Sequence, residues 1–200
     1  RMCRARIRVP DQWYGDFLAG LGSARVAERR LEDFCAKYGV VAVKNFTREW
    51  FDYSERRMID NIRRMPRAKL VNKGRSDPLQ GILPDGLELT VKIEIDPDAA
   101  MIHVDLSDNP PCVDVGLNTS LGSATSAVVG AIFNALERDL PRNAGSFRRL
   151  RFTYAENSVV GAPVFPHSCS MGTTNVAERL VNITQSAFAQ LGDGHGLSEG

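Results

Sequence analysis

The sequence lacks long hydrophobic runs, clustered cysteines and an excess of charge of either sign, and each lack excludes a class. No stretch approaches the ~18 apolar residues of a membrane-spanning helix, so no membrane partner is expected. The four cysteines, at 3, 35, 112 and 169, stand far apart without CxxC spacing. Neither a zinc knuckle nor a disulfide framework follows, and reduced thiols in a cytoplasmic protein are expected. Lys and Arg number 25 against 24 Asp and Glu, a net charge of +1. No global field therefore points to nucleic acid or an anionic surface. The arginine pairs Arg29-Arg30, Arg56-Arg57, Arg63-Arg64 and Arg148-Arg149 are interleaved with acids. They read as solvated helix faces or interface ion pairs rather than a polyanion groove.

Several motifs are missing too. There is no Walker A sequence, no GxGxxG and no Gly-x-Ser-x-Gly elbow. Gly20-Leu21-Gly22 sits inside a helical pattern, whereas phosphate cradles precede a helix. The chain opens Arg1-Met2-Cys3-Arg4 without a signal-peptide hydrophobic region. Both ends read as those of a piece of a longer polypeptide.

What is present is an ordinary globular composition, 43% hydrophobic and 24% charged, with room for a substantial core. Residues 4–9 alternate in character and predict a short strand. Asp16 is an N-cap candidate. Phe17, Leu21, Ala24, Leu31 and Cys35 follow at helical spacing, and Gly39 supplies the stop. A second helix is predicted over 41–65, with Val43, Phe46, Trp50, Tyr53, Met58 and Ile62 on one stripe and Pro66 at its end. The short joint predicts an antiparallel pair. Residues 67–86 carry Gly74, Pro78, Gly81, Pro84 and Gly86 and read as a loop. Strict alternation from Leu87 to Ile95, the turn Asp96-Pro97-Asp98 and a return over 101–106 predict a β-hairpin. A helix rich in small residues over 123–136, a strand over 150–154 and a helix over 174–191 complete the order. The fold class is α+β: mixed helices and a β-hairpin-containing sheet. Two segments are expected, a helical hairpin over 1–66 and a mixed α/β part over 67–200.

Candidate chemistry is sparse. His103 and Asp105 fall on one strand face, which suits a ligand pair or a solvated polar face. His167 and Cys169, two apart in a loop, suit coordination, catalysis or plain backbone bonding. Asn118 and Asn143 lie beside glycine-containing connections, as turn formers or as neutral donors to a substrate oxygen. These residues alone specify no reaction.

Four ordered segments add a resemblance. Gly15-Asp16-Phe17-Leu18-Ala19 runs into Glu28-Arg29-Arg30-Leu31 and Lys37-Tyr38-Gly39. Asp52-Tyr53-Ser54-Glu55-Arg56-Arg57-Met58 follows, then Val104-Asp105-Leu106-Ser107-Asp108 with Gly116-Leu117-Asn118, and finally Pro141-Arg142-Asn143-Ala144-Gly145-Ser146-Phe147-Arg148. Together they resemble the B-type subunit of the hydantoinase, oxoprolinase and acetone carboxylase family, over nearly the whole chain. The resemblance implies a central fragment of a larger subunit of a multisubunit enzyme, inactive alone. It would act on cyclic amides by hydrolysis or on ketones by carboxylation. It implies a hetero-oligomer with an A-type subunit that binds ATP, and a small zinc-binding subunit if the enzyme is a carboxylase. It also implies a divalent metal whose ligands lie outside this segment. Asn118, Asn143 and His167 are the residues expected to line the site. Arg148-Arg149 stands where the family commonly has Arg-Pro, Ala155-Glu156-Asn157-Ser158 lacks the usual Pro-x-Gly-Ser, and Phe165-Pro166-His167-Ser168-Cys169 replaces small apolar residues, departures that lean toward the carboxylase branch. The alternative is a non-catalytic assembly module built on the helical first 65 residues.

Overall fold

Pro10 sets where the first helix starts. The computed structural model describes residues 1–192, 194 and 195, and in it α1 runs Pro10–Tyr38. Proline at the first helical position costs no hydrogen bond, because that N–H has no partner in a helix anyway. The helix thus begins well before Asp16 and without a side-chain cap. Residues 4–9 form turns, not the expected strand. Gly39 ends α1 with φ 83°, and its N–H donates to the Cys35 carbonyl. α2 follows at once, Val40–Arg64.

The chain packs as two units, Arg1–Trp50 and Phe51–Gly200. The first holds α1 and the front of α2. The expected antiparallel packing would cover the apolar stripe of α1, yet α1 has no buried residue. One joining residue leaves no loop in which the chain could double back.

The second unit holds the core. A four-stranded sheet has the order β1-β2-β3-β5, from Ala68–Arg75, Glu88–Asp96, Met101–Asp105 and Leu150–Thr153. β1, β2 and β3 are antiparallel neighbours, and β5 joins β3 in parallel. The hairpin is the one the alternation predicts: Leu89, Val91, Ile93 and Ile95 face inward and are buried. The outward face is polar, with Lys69 on Glu94 and Lys73 on Glu88 as cross-strand ion pairs. Strand β1 lies in the region read as a loop.

β4 (Thr119–Ser120) leads into α3 (Leu121–Asn134) and pairs in parallel with β6 (Val160–Gly161). The Ser120 hydroxyl caps α3. The short α4 spans Ala144–Phe147. A π-helical turn over Thr173–Ala177 runs into α5, Glu178–Ala189. α5 packs on β1 and β2 at the inner sheet face, and α3 packs on α5 and on the β4–β6 pair, with Val128, Ile132, Leu180, Ile183 and Phe188 in one cluster with the strand residues. The back of α2 adds Met58 and Ile62, both fully buried. The architecture is mixed α and β, as predicted, and the strands of the described residues close no barrel.

Candidate functional site

The inner face of β1 explains why its sequence looks like a loop. Leu70, Asn72 and Gly74 face α5. The Asn72 amide donates to the Ile183 carbonyl at 3.0 Å. A Cβ on Gly74 would collide with Ile183 Cγ2 and stand 3.3 Å from Arg179 Cδ. Gly74 thus lets α5 lie against the strand. Just beyond β1, Ser76 exchanges bonds with Leu87, its N–H donating to the carbonyl and its hydroxyl accepting the N–H.

This close approach shapes a polar hollow of about 280 Å³. Ser76 and Asp77 form one wall. Thr174 and Asn175 of the π-helical turn and Glu178, Arg179 and Asn182 of α5 form the other. A π-helical turn holds one residue more than an α turn, which re-aims the side chains that follow, and such turns recur at functional sites. Arg179, Asp77 and Glu178 form no ion pair among the described residues. The Asn182 side-chain oxygen is shut off from solvent and accepts no hydrogen bond. A buried acceptor without a donor costs about 1–3 kcal/mol, so a ligand N–H or O–H that meets it after a turn of the side chain recovers that cost. The hollow therefore offers a guanidinium for an anionic group, two carboxylates for a cation, and amides matched to another amide.

The sequence-predicted residues fall elsewhere. Asn118 is fully buried and bolts two loops together. Its oxygen accepts the Val113 N–H at 2.8 Å, and its NH₂ lies 2.9 Å from the Val113 carbonyl, 3.0 Å from that of Val115 and 2.9 Å from that of Ser168. The interlock is tight at Gly172 too, where a Cβ would collide with the Asn118 carbonyl oxygen. His167 sits beside this bolt. One ring nitrogen, Nδ1, lies 2.8 Å from the Val164 carbonyl and the other, Nε2, 3.8 Å from Asp114. Asn118 and His167 thus belong to one loop cluster. The Cys112 thiol donates to the Ser158 carbonyl at 3.2 Å in the same region. Burial pushes that thiol up, and the nearby Cys169 adds to the shift.

Asn143 is apart from them. It caps α4, accepting the Gly145 N–H at 2.8 Å, while its NH₂ donates to the Ser54 hydroxyl at 2.8 Å. Ser146 returns the capping box. A Cβ on Gly145 would collide with the Phe51 carbonyl. The run Asn143-Ala144-Gly145-Ser146 thus locks α4 against the back of α2. Arg148 and Arg149 reinforce the lock through Glu55 at 2.8 and 2.5 Å. The Arg148 bond comes first in holding the Glu55 carboxyl below its ordinary value, against the opposing effect of burial.

His103 and Asp105 share the outward face of β3 but bond to different partners. The His103 ring meets the Thr153 hydroxyl at 2.8 Å. Burial alone would raise the pKa of Asp105, but the Ser107 hydroxyl and N–H hold its carboxyl below the usual value. Among the described residues no three His, Cys, Asp or Glu side chains are placed to share a metal ion. These residues do not fit the divalent metal that the resemblance implies.

Sequence reasoning missed the hollow. Thr174, Asn175, Glu178 and Asn182 look like the solvated face of an amphipathic helix. The faint signal was their excess of amides and hydroxyls where Lys and Glu would serve better.

The family model Hydantoinase B/oxoprolinase matches residues 1–197. This chain belongs to the hydantoinase B/oxoprolinase family. It is 24% identical over 193 residues to a protein assigned as the B-type subunit of a D-/L-hydantoinase from Pseudomonas sp. (strain NS671), covering 92% of this chain and 32% of that protein. An uncharacterized protein of Methanocaldococcus jannaschii is 26% identical over 195 residues, 92% of this chain and 31% of its own length. The crystal structure of the ATP-dependent caprolactamase from Pseudomonas jessenii is similar with a TM-score of 0.76 and 25% identity. That match covers 95% of this chain and 32% of the caprolactamase chain. The chain thus spans about a third of the length of the relatives it matches.

Proposed function

We propose that this chain is a portion of the B-type subunit of an ATP-dependent enzyme that hydrolyses cyclic amides, of the hydantoin or oxoproline type. The observation that carries the reading is the family match along nearly all of its length. The caprolactamase likeness supports it, since that relative is an ATP-dependent enzyme named for a cyclic amide. In this reading an A-type partner binds ATP and phosphorylates the amide oxygen, turning it into a good leaving group. Water adds at the carbon, the ring C–N bond opens as the nitrogen takes up a proton, and a second water hydrolyses the resulting acyl phosphate to carboxylate and phosphate. The divalent metal belongs to residues outside this chain, and the complex works in the cytoplasm.

The chain contributes a scaffold and a polar hollow. Arg179 would hold a carboxylate bidentately. The Asn182 oxygen, once a turn of its side chain opens it to the hollow, would take the N–H of a cyclic amide. Polar groups left without a partner penalise analogues that lack the matching group, so this pair would set selectivity. His167 and Asn118 would enter through the loop cluster that leads into the π-helical turn, and Asn143 through the packing of α4 on α2.

Ketone carboxylation, with its small zinc-binding subunit, is the other branch. One of its leads from this sequence was Arg148-Arg149, beside the departures at 155–158 and 165–169. Those arginines are accounted for by their bonds to Asp52 and Glu55, so that departure carries no preference between substrates.

The test is ATP hydrolysis by the complete B-type polypeptide joined to its A-type partner. Cyclic amides such as a hydantoin, 5-oxoproline or caprolactam should stimulate it, and acetone with bicarbonate should not. Stimulation by the ketone alone would replace the amide reading with the carboxylase one.

A further inference from the structure

The four cysteines stand far apart in the sequence, but the fold brings two of them to one place. Cys112 opens the loop that ends at Asn118, and Cys169 lies in the loop between β6 and the π-helical turn. Three contacts lace these loops side by side. The Asn118 NH₂ lies 2.9 Å from the Val113 carbonyl and 2.9 Å from the Ser168 carbonyl. The Met171 N–H donates to the Gly116 carbonyl at 2.7 Å, and a Cβ on Gly116 would collide with Ser170 Oγ.

Val113 and Ser168 are each the sequence neighbour of one cysteine. Two carbonyls served by a single NH₂ stand about 5 Å apart. A disulfide spans Cα atoms about 4.4–6.8 Å apart, so the two backbones run at the separation that such a bond bridges.

The side chains converge as well. The Cys112 thiol lies against the Val164 N–H. The carbonyl of Val164 accepts the His167 N–H at 3.1 Å and lies 2.8 Å from His167 Nδ1. This turn folds the chain back on its way to Cys169, and the two sulfurs are near enough that the charge of one is felt by the other. They differ in access. Cys169 is exposed, whereas Cys112 is half-buried and donates to the Ser158 carbonyl at 3.2 Å. An exposed thiol meets a reagent in solution first, and a buried one is held back until its neighbour is activated.

We propose that Cys112 and Cys169 form a reversible redox site, joining as a disulfide when a small disulfide such as oxidised glutathione reaches the protein. The Cys169 thiolate attacks one sulfur of the small disulfide, forms a mixed disulfide and expels one small thiolate. The Cys112 thiol then loses its proton to water and attacks Cys169 Sγ, and the second small thiolate leaves. Two protein thiols are oxidised, and one small disulfide is reduced to two thiols. In a reducing compartment the pair rests as thiols, so the bond marks an oxidising episode. It fastens the loop that runs into the π-helical turn Thr173–Ala177, whichever substrate the enzyme takes.

The test is peptide mapping by mass spectrometry of the folded protein after incubation with oxidised glutathione, free thiols being blocked before digestion. One peptide pair, Cys112 linked to Cys169, should exceed any other pairing about tenfold or more and vanish with dithiothreitol. The same treatment in urea should abolish that preference. Cys112→Ser should stop at the mixed disulfide, with glutathione retained on Cys169. Free thiols at both positions of the unaltered protein, or glutathione held on Cys169 without a link to Cys112, would overturn the proposal. So would a link no more abundant in the folded protein than in the unfolded one.

Discussion

α1 and α3 carry the same kind of signal, an apolar stripe at helical spacing, and meet opposite fates. α3, at 14 residues half as long, buries Ala124, Val128, Ala131, Ile132 and Phe133. α1 buries nothing. An apolar face therefore says that something covers a helix but not what. For α3 it is α5 and the β4–β6 pair of the same chain, whereas nothing among the described residues covers α1. The energetics divide along the same line, since buried contacts hold the second unit while the first waits for its own.

The sharpest way to break this contrast is to truncate one aromatic in each region. Phe133→Ala should cost about 3–5 kcal/mol of folding stability, as expected for a buried phenylalanine. Phe17→Ala should change the stability of the monomer by no more than about 0.5 kcal/mol. Chemical denaturation of each variant measures both, and comparable losses would erase the distinction. A second substitution sharpens it within the packed unit. Gly145→Ala puts a methyl group on the Phe51 carbonyl oxygen and should cost about 1–3 kcal/mol, while Gly22→Ala in open space should stabilise α1 by about 1 kcal/mol. Asn143→Ala comes next. Loss of the cap and of the Ser54 bond should lower stability by about 1–2 kcal/mol, read as a drop in Tm.

The smallest effect is a pH dependence. Arg57 first, then Asn61 and Arg64, hold the Glu137 carboxyl down to about 2, against an ordinary value of 4.5. The unfolded chain binds that proton more readily than the folded one. The stability it contributes is thus complete above pH 4.5 and is lost as pH falls toward 2. Tm measured from pH 7 to 2 should fall less steeply in this window for Glu137→Gln, which has nothing left to titrate. Identical slopes would assign the acid sensitivity to other carboxylates.

The same physics decides what could be read from the sequence. The β2–β3 hairpin was legible because one face meets the core and the other meets water, so Leu89 to Ile95 alternate strictly. β1 was not, because its inner face meets a helix at close range. Such a contact selects Gly74 and Asn72, residues that otherwise mark loops. The start of α1 was placed too late, at the cap candidate Asp16, whereas Pro10 opens the helix. The resemblance to B-type hydantoinase subunits was legible in the order of short segments. In two of those segments Asn118 ties loops together and Asn143 ties α4 to α2. The hollow at Arg179 was hidden, because a polar helix face facing a strand end reads like one facing solvent. Only the docking of α5 on β1 tells them apart.

Central to the account is that hollow as part of the binding site for a cyclic amide. The most direct measurement is the amide concentration dependence of ATP hydrolysis by the complete complex, comparing Arg179→Ala with the unaltered protein. KM for an acidic substrate such as 5-oxoproline should rise about tenfold or more, while that for neutral caprolactam changes little, because only the former has a carboxylate for the guanidinium. An unchanged KM for both substrates, in a variant that folds and assembles normally, would contradict it.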